Sequence, residues 1–156
     1  MKVGDKIPEV LGQDQDGNTI TRESLKGQNV ILYFYPKDNT SGCTGQACSL
    51  RDSWAELRDL GYTVIGVSKD SAKSHKGFRE KHKLPFPLIA DVDKKLLETF
   101  GVLAEKKMFG RTYMGTVRTT FLIDKEGVIR QIITGRDLKT MSHGEQLLKI
   151  IKKEQE

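Results

Sequence analysis

The chain has 156 residues, 37% of them hydrophobic and 30% charged, with a formal net charge of +5. That length suits one domain, residues 1–156, with a single adequate core, and the composition is that of a soluble globular protein. No apolar run approaches the ~20 residues needed to span a bilayer, which argues against a membrane protein. The lysines are scattered. Their densest group (Lys149, Lys152 and Lys153) sits beside Glu154 and Glu156 and reads as a solvated helix face, so no nucleic-acid partner is expected. The start, Met1-Lys2-Val3-Gly4-Asp5, lacks the apolar segment of a secretory signal, and a cytoplasmic location is expected. In such a reducing compartment two cysteines mean catalysis, redox sensing or nothing more readily than a structural bridge.

In chain order, the Asp16-Gly17 step within residues 13–18 predicts a hairpin turn, with Thr19-Ile20-Thr21 as the returning strand. Ser24 starts a short turn that Gly27 ends. The most apolar run, Val30-Ile31-Leu32-Tyr33-Phe34-Tyr35, is a buried strand. Then comes a loop rich in Pro, Asn, Ser and Gly, and a helix from about Gly42 to Leu60 with an apolar stripe at Ala47, Leu50, Trp54, Leu57 and Leu60. Gly61 stops it. Tyr62–Ser68 is a second buried strand, and Asp70 or Ser71 caps a polar helix through Lys83, ended by Leu84-Pro85-Phe86-Pro87.

Leu88-Ile89-Ala90 is too short to assign, Asp93–Phe100 reads as a helix closed by Gly101, and residues 102–116, without a clean period and with Gly110 and Gly115, read as a long loop. Val117–Ile123 and Val128–Thr134 are two strands joined at Asp124-Lys125-Glu126-Gly127, and Ser142–Lys153 is the closing helix. Strands that alternate with helices imply crossover units, and the late hairpin makes the other edge of the sheet antiparallel. Sites in such sheets gather at the carboxyl ends of the strands, where the loop after Tyr35 lies.

That loop and the helix it opens, Pro36-Lys37-Asp38-Asn39-Thr40-Ser41-Gly42-Cys43-Thr44-Gly45-Gln46-Ala47-Cys48, hold both cysteines. Near a helix N-terminus, unpaired N–H groups and the positive end of the dipole favour thiolate over thiol, and the thiolate is the reactive form. Cys43, four residues before Ala47, joins the inward stripe, whereas Cys48 lies about 100° round from Ala47. Five helical residues separate Cα atoms by ~8.7 Å. Disulfides rarely form beyond ~7 Å. If both residues are helical, the sulfurs cannot bond until the first turn unwinds. The spacing implies one thiol that reacts first and a second that reaches it after local unfolding.

The pattern Pro36-x-x-x-Thr40-x-x-Cys43 resembles the active-site motif of the peroxiredoxins. The longer run from Tyr33-Phe34-Tyr35-Pro36-Lys37-Asp38 through Cys43-Thr44-x-x-Ala47-Cys48 with Arg51-Asp52 is similar to their bacterioferritin comigratory protein, or Q-type, subfamily. The likeness extends from Gly4-Asp5-Lys6-Ile7-Pro8 to Arg118-Thr119-Thr120-Phe121-Leu122-Ile123-Asp124, with Ser41 standing where the subfamily usually carries Pro. It implies an α/β, thioredoxin-like fold, a central mixed sheet flanked by helices with an N-terminal β-hairpin extension.

In function the resemblance implies a thiol peroxidase that reduces hydrogen peroxide and organic hydroperoxides. Cys43 is the peroxidatic cysteine and becomes a sulfenic acid. Cys48 is the resolving cysteine and forms the Cys43–Cys48 disulfide, which thioredoxin or a similar dithiol reduces. No metal or organic cofactor is implied, and the protein is expected as a monomer or weak homodimer. By the same resemblance Arg118 holds the thiolate and the peroxide oxygen, Thr40 hydrogen-bonds the peroxide, and Pro36 shapes the loop and shields the sulfur.

Each residue also has a plainer reading. Arg118 in an apolar strand can be an edge charge that prevents aggregation, Thr40 a helix cap, Pro36 a strand terminator, Cys43 a buried structural cysteine and Cys48 an inert thiol. His75, His82 and His143 sit in polar helical stretches outside the motif, which leaves little support for a Cys–His hydrolase, and the cysteines without clustered histidines make a poor zinc site. The alternatives are a thioredoxin-like disulfide-exchange protein and a redox-sensing module. The former normally uses Cys-x-x-Cys, whereas four residues intervene here, and neither accounts for Thr40 and Arg118 as directly.

Ionisation alone achieves little in this chemistry. A thiol of pKa ~8.5 is a few per cent ionised at neutral pH, so complete ionisation gains at most ~30-fold, or ~2 kcal/mol. Any larger advantage needs donors fixed around the two oxygens as charge moves between them, and the backbone N–H groups of Gly42 and Cys43 are candidates.

Overall fold

The computed structural model describes residues 1–155. Its centre is a five-stranded sheet in the order β5-β4-β3-β8-β9. Strands β3 (Asn29–Phe34), β4 (Tyr62–Ser68) and β5 (Leu88–Ala90) run parallel, while β8 (Thr119–Ile123) and β9 (Ile129–Thr134) are antiparallel to their neighbours. This is the expected mixed α/β sheet. Val30 to Phe34 are all buried, as a strand covered on both faces requires.

The side-chain period of two divides that strand between two cores. Ile31, Tyr33 and Tyr35 face helices α1 (Ser41–Asp59), α2 (Ala72–His82) and α4 (His143–Glu154) through Cys43, Ala47, Leu50, Leu57, Phe78, Leu147 and Ile151. Val30, Leu32 and Phe34 face Leu11 and Leu25 of the N-terminal segment and α3 (Lys95–Phe100), where Phe121 meets both Phe34 and Phe100 edge-on. Helix α4 packs closely on α1 because Gly144 has no side chain; a Cβ there would come within 2.4 Å of the Ser49 carbonyl oxygen.

Most predicted elements lie within a few residues of their expected places. The N-terminal hairpin is β1 (Val10–Gln13) with β2 (Thr19–Thr21), and Glu23–Leu25 form a short 3-10 turn. Gly61, with φ 89°, ends α1, and Ser71 rather than Asp70 caps α2, accepting from Ser74 N at 3.1 Å. Asp91 accepts from the N–H groups of Leu96 and Leu97, at 3.0 and 2.8 Å, and so fixes the start of α3.

Two expectations need correction. Residues 102–116 are not a loop: β6 (Leu103–Met108) and β7 (Arg111–Thr116) form an antiparallel hairpin, reversed at Phe109-Gly110, where both φ angles are positive. The hairpin pairs only with itself and is largely exposed, so it carries none of the apolar alternation that burial of one face imposes. Arg118 stands outside β8, in the short link that follows β7, and β8 itself lies inside the sheet between β3 and β9. The edge-charge reading of Arg118 therefore fails.

Candidate active site

Cys43 is the third residue of α1 and is 1% exposed, facing the core as its helical position requires. Strand β8 pairs Thr119 with Phe34, so the residue before it arrives at the end of the sheet where the chain leaves β3. From there the Arg118 guanidinium reaches the sulfur: Nη2 donates to Cys43 Sγ at 3.3 Å, and Nη1 donates to Gln46 Oε1. Gly42 makes room for this approach, because a Cβ at that position would lie 3.3 Å from Nη2.

Gln46 was not singled out in the sequence. It lies three residues after Cys43, hence on the same helix face, and that spacing was the available signal. Its side chain is buried, and its Nε2 has no hydrogen-bond partner among the described residues; the same holds for the buried Tyr33 hydroxyl. Burial pushes the Tyr33 phenol well above its ordinary range, and the charges of Asp38 and Cys43 push it further in that direction while Arg118 opposes them. It stays a neutral hydroxyl at any physiological pH.

Thr40 occupies the N-cap position of α1 in extended backbone, and its carbonyl accepts from Thr44 N at 2.9 Å. Its hydroxyl does not cap the helix; it donates to the Lys37 carbonyl at 2.9 Å within the loop. Pro36 is half-buried at the head of that loop. Cys48, also in α1, is half-buried on the flank, and both cysteines are free thiols. The structure thus joins Cys43 directly to Arg118, sets Thr40 and Pro36 in the loop that precedes them, and leaves Cys48 on a different face of the same helix.

The loop itself is held by Asp38, a motif residue with partners far along the chain. Asp38 is buried, and its carboxylate meets three side chains, Tyr35 Oη at 2.6 Å, Ser74 Oγ at 2.8 Å and His75 Nδ1 at 2.7 Å, while its own N–H donates to Asp70 Oδ2 at 2.8 Å. His75 Nε2 meets the Ile89 carbonyl oxygen at 2.9 Å, so both ring nitrogens are engaged by oxygen atoms. Asp38, Asp70 and His75 also have donor atoms within 4.8 Å of one another, but hydrogen bonds already engage these groups and account for the cluster. His75 and Phe78 form the inward stripe of α2, a pattern that its charged exterior conceals in sequence.

His143 contrasts with His75. It is buried at the first turn of α4, where Nδ1 donates to Gln146 Oε1 at 2.9 Å and Nε2 accepts from the Thr120 hydroxyl at 2.8 Å. Burial lowers its pKa to about 4. Among the described residues the histidine–cysteine contact lies at the other thiol: His82 Nδ1 is 3.9 Å from Cys48 Sγ.

Residues 3–132 match the AhpC/TSA family. The putative peroxiredoxin bcp of Coxiella burnetii is 48% identical over 132 residues, covering 85% of this chain and 87% of its own. A mutant of PrxQ from Xylella fastidiosa superposes with a TM-score of 0.89 at 33% identity, covering 100% of this chain and 98% of that one. The bacterioferritin comigratory protein of Xanthomonas campestris, in trapped intermediate and ligand complexes that bear on its alkyl peroxide reduction activity, superposes at 0.84 with 32% identity, covering 97% and 100%. With a thiol at a helix start, an arginine on its sulfur and relatives matching over nearly the full length, the chain belongs to the AhpC/TSA family as a peroxiredoxin of the Bcp, or Q, type, a thiol peroxidase with a thioredoxin-like fold.

Proposed function

We propose that Cys43 is the peroxidatic cysteine and Cys48 the resolving one, with Arg118, Thr40 and Pro36 completing the site. The observation that carries this is the Arg118 Nη2–Cys43 Sγ hydrogen bond of 3.3 Å at a helix N-terminus. Cys43 sulfur attacks one oxygen of a hydroperoxide, the O–O bond breaks, and the second oxygen leaves as hydroxide or alkoxide that takes up a proton. Sulfur becomes a sulfenic acid and the peroxide becomes water or an alcohol. A guanidinium already on the sulfur meets the negative charge both before attack and as it moves to the departing oxygen, without reorganising. Thr40 hydrogen-bonds the peroxide, and Pro36 shapes the loop and shields the sulfur from water. The alkyl peroxide reduction of the Xanthomonas campestris relative supports organic hydroperoxides as substrates besides hydrogen peroxide.

Resolution requires α1 to open, since the helical separation of ~8.7 Å exceeds the ~7 Å limit of a disulfide. The start of α1 favours this, having no side-chain cap and no acidic residue in its first turn. A missing cap leaves a helix end weaker by about 1 kcal/mol. Cys48 then condenses with the sulfenic acid, and thioredoxin or a similar dithiol reduces the disulfide by exchange. Both cysteines come from one helix, so a monomer or weak homodimer suffices. The two cores share β3, which supports a single domain over residues 1–156. No helix among the described residues is long and apolar enough to cross a membrane, and a cytoplasmic setting supplies the thiol reductant the cycle needs.

The test is peroxide consumption with thioredoxin as reductant, followed by mass analysis. Cys43→Ser is expected to abolish turnover; Cys48→Ser is expected to react once per site and then stall without a small external thiol. Retained turnover in Cys43→Ser, or normal thioredoxin-driven turnover in Cys48→Ser, overturns the corresponding assignment.

A further inference from the structure

The cycle above leaves one proton unassigned. Cys48 must lose its thiol proton to attack the sulfenic acid, and a free thiol of pKa ~8.5 is ionised only to a few per cent at neutral pH, so a base beside it gains up to ~30-fold. The neighbour in position is His82, the last residue of α2, whose Nδ1 lies 3.9 Å from Cys48 Sγ. Both groups are half-buried, sheltered but reachable by solvent.

His82 is held where it is from two sides. Arg51, one turn beyond Cys48 on α1, donates from Nη1 to the His82 carbonyl at 2.8 Å. The Phe78 ring lies edge-on to the imidazole at 5.2 Å and 73°. The surrounding charges are Arg51, paired with Asp52 on α1, and Arg79 and Lys81 in the last turn of α2.

The position of the Arg51 tether matters most. It lies C-terminal to Cys48, whereas the segment that must unwind lies N-terminal to it. The first turn of α1 can open and carry Cys43 towards Cys48 while Cys48 and His82 stay together.

We propose that His82 is the general base of the disulfide-forming step, an inference that rests on the reading of Cys48 as the resolving thiol. His82 Nδ1 takes the proton from the Cys48 thiol as the Cys48 sulfur forms the S–S bond to Cys43. The Cys43 S–O bond breaks, and the oxygen leaves as water with the proton that the imidazolium returns. The sulfenic acid supplies both oxidising equivalents, so no further oxidant is needed.

The test mixes reduced full-length protein with one equivalent of hydrogen peroxide, quenches with acid at intervals and follows sulfenic acid and disulfide by mass. In His82→Ala the ratio of the disulfide-forming rate to the thiol-oxidation rate is expected to fall about tenfold, within the ~30-fold bound set by thiol ionisation. Added imidazole restores it, and Lys81→Ala, which removes a neighbouring charge, leaves it unchanged. An unchanged ratio in His82→Ala, or a loss that imidazole does not reverse, overturns the role of His82. A wild-type protein that forms no Cys43–Cys48 disulfide overturns the reading of Cys48 beneath it.

Discussion

Helices α1 and α2 both leave the sheet from the carboxyl ends of parallel strands, yet their starts are built in opposite ways. Helix α2 begins with a Ser71 cap, and its first turn is bound into a buried cluster: Ser74 and His75 both reach Asp38, which also holds the Tyr35 hydroxyl. Helix α1 begins without a side-chain cap, its N-cap hydroxyl being turned back to Lys37, and the side-chain contact at Cys43 is the one from Arg118. The difference teaches a division of labour. One helix start is fixed so that the loop keeps its shape, and the other lacks such a lock, as the proposed opening of α1 after reaction at Cys43 requires.

The strongest challenge to this contrast is to break the fixed start. His75→Ala leaves the buried Asp38 carboxylate without its 2.7 Å imidazole partner and is expected to cost about 3–5 kcal/mol of stability. Urea unfolding measures it; a loss under about 1 kcal/mol would show that the cluster does not lock the loop. At the start of α1 the expected effect is kinetic. Arg118→Ala is expected to lower kcat/KM for peroxide by ~10²–10³, the usual loss when one preorganised donor to developing charge is removed. A small change in rate, with a large loss of stability, would make Arg118 a structural residue.

The third test concerns the start of α4, where His143 is buried neutral. Its folded pKa of about 4 lies below the ordinary 6.5, so the unfolded chain takes up the proton first. The stability that this histidine contributes is complete above the unfolded value and is lost as pH falls from there through the folded one, roughly 3 kcal/mol in all. Urea midpoints measured across that window for wild type and His143→Gln separate this histidine from the carboxylates; parallel curves for the two proteins would refute its share.

Sequence alone carried far in this molecule where information is local. The buried strand before the motif, the helix after it and the phase that turns Cys43 inward and Cys48 aside all follow from short-range periodicity, and the structure has them in place. The motif resemblance placed the fold, and the family comparisons agree with it. The β6–β7 hairpin escaped because its strands face solvent and each other, so burial never wrote a period into residues 102–116.

What only the tertiary structure decided is which distant groups meet. Arg118 is 75 residues from Cys43, Asp38 is 37 residues from His75, and Cys48 is 34 residues from His82. Chain order says nothing of such pairs, because each depends on strand register and helix packing that bring separate segments to one end of the sheet. Helical geometry is periodic and can be read along the chain; the side-chain contacts that tune a sulfur are not, and they exist only once the sheet has closed around them.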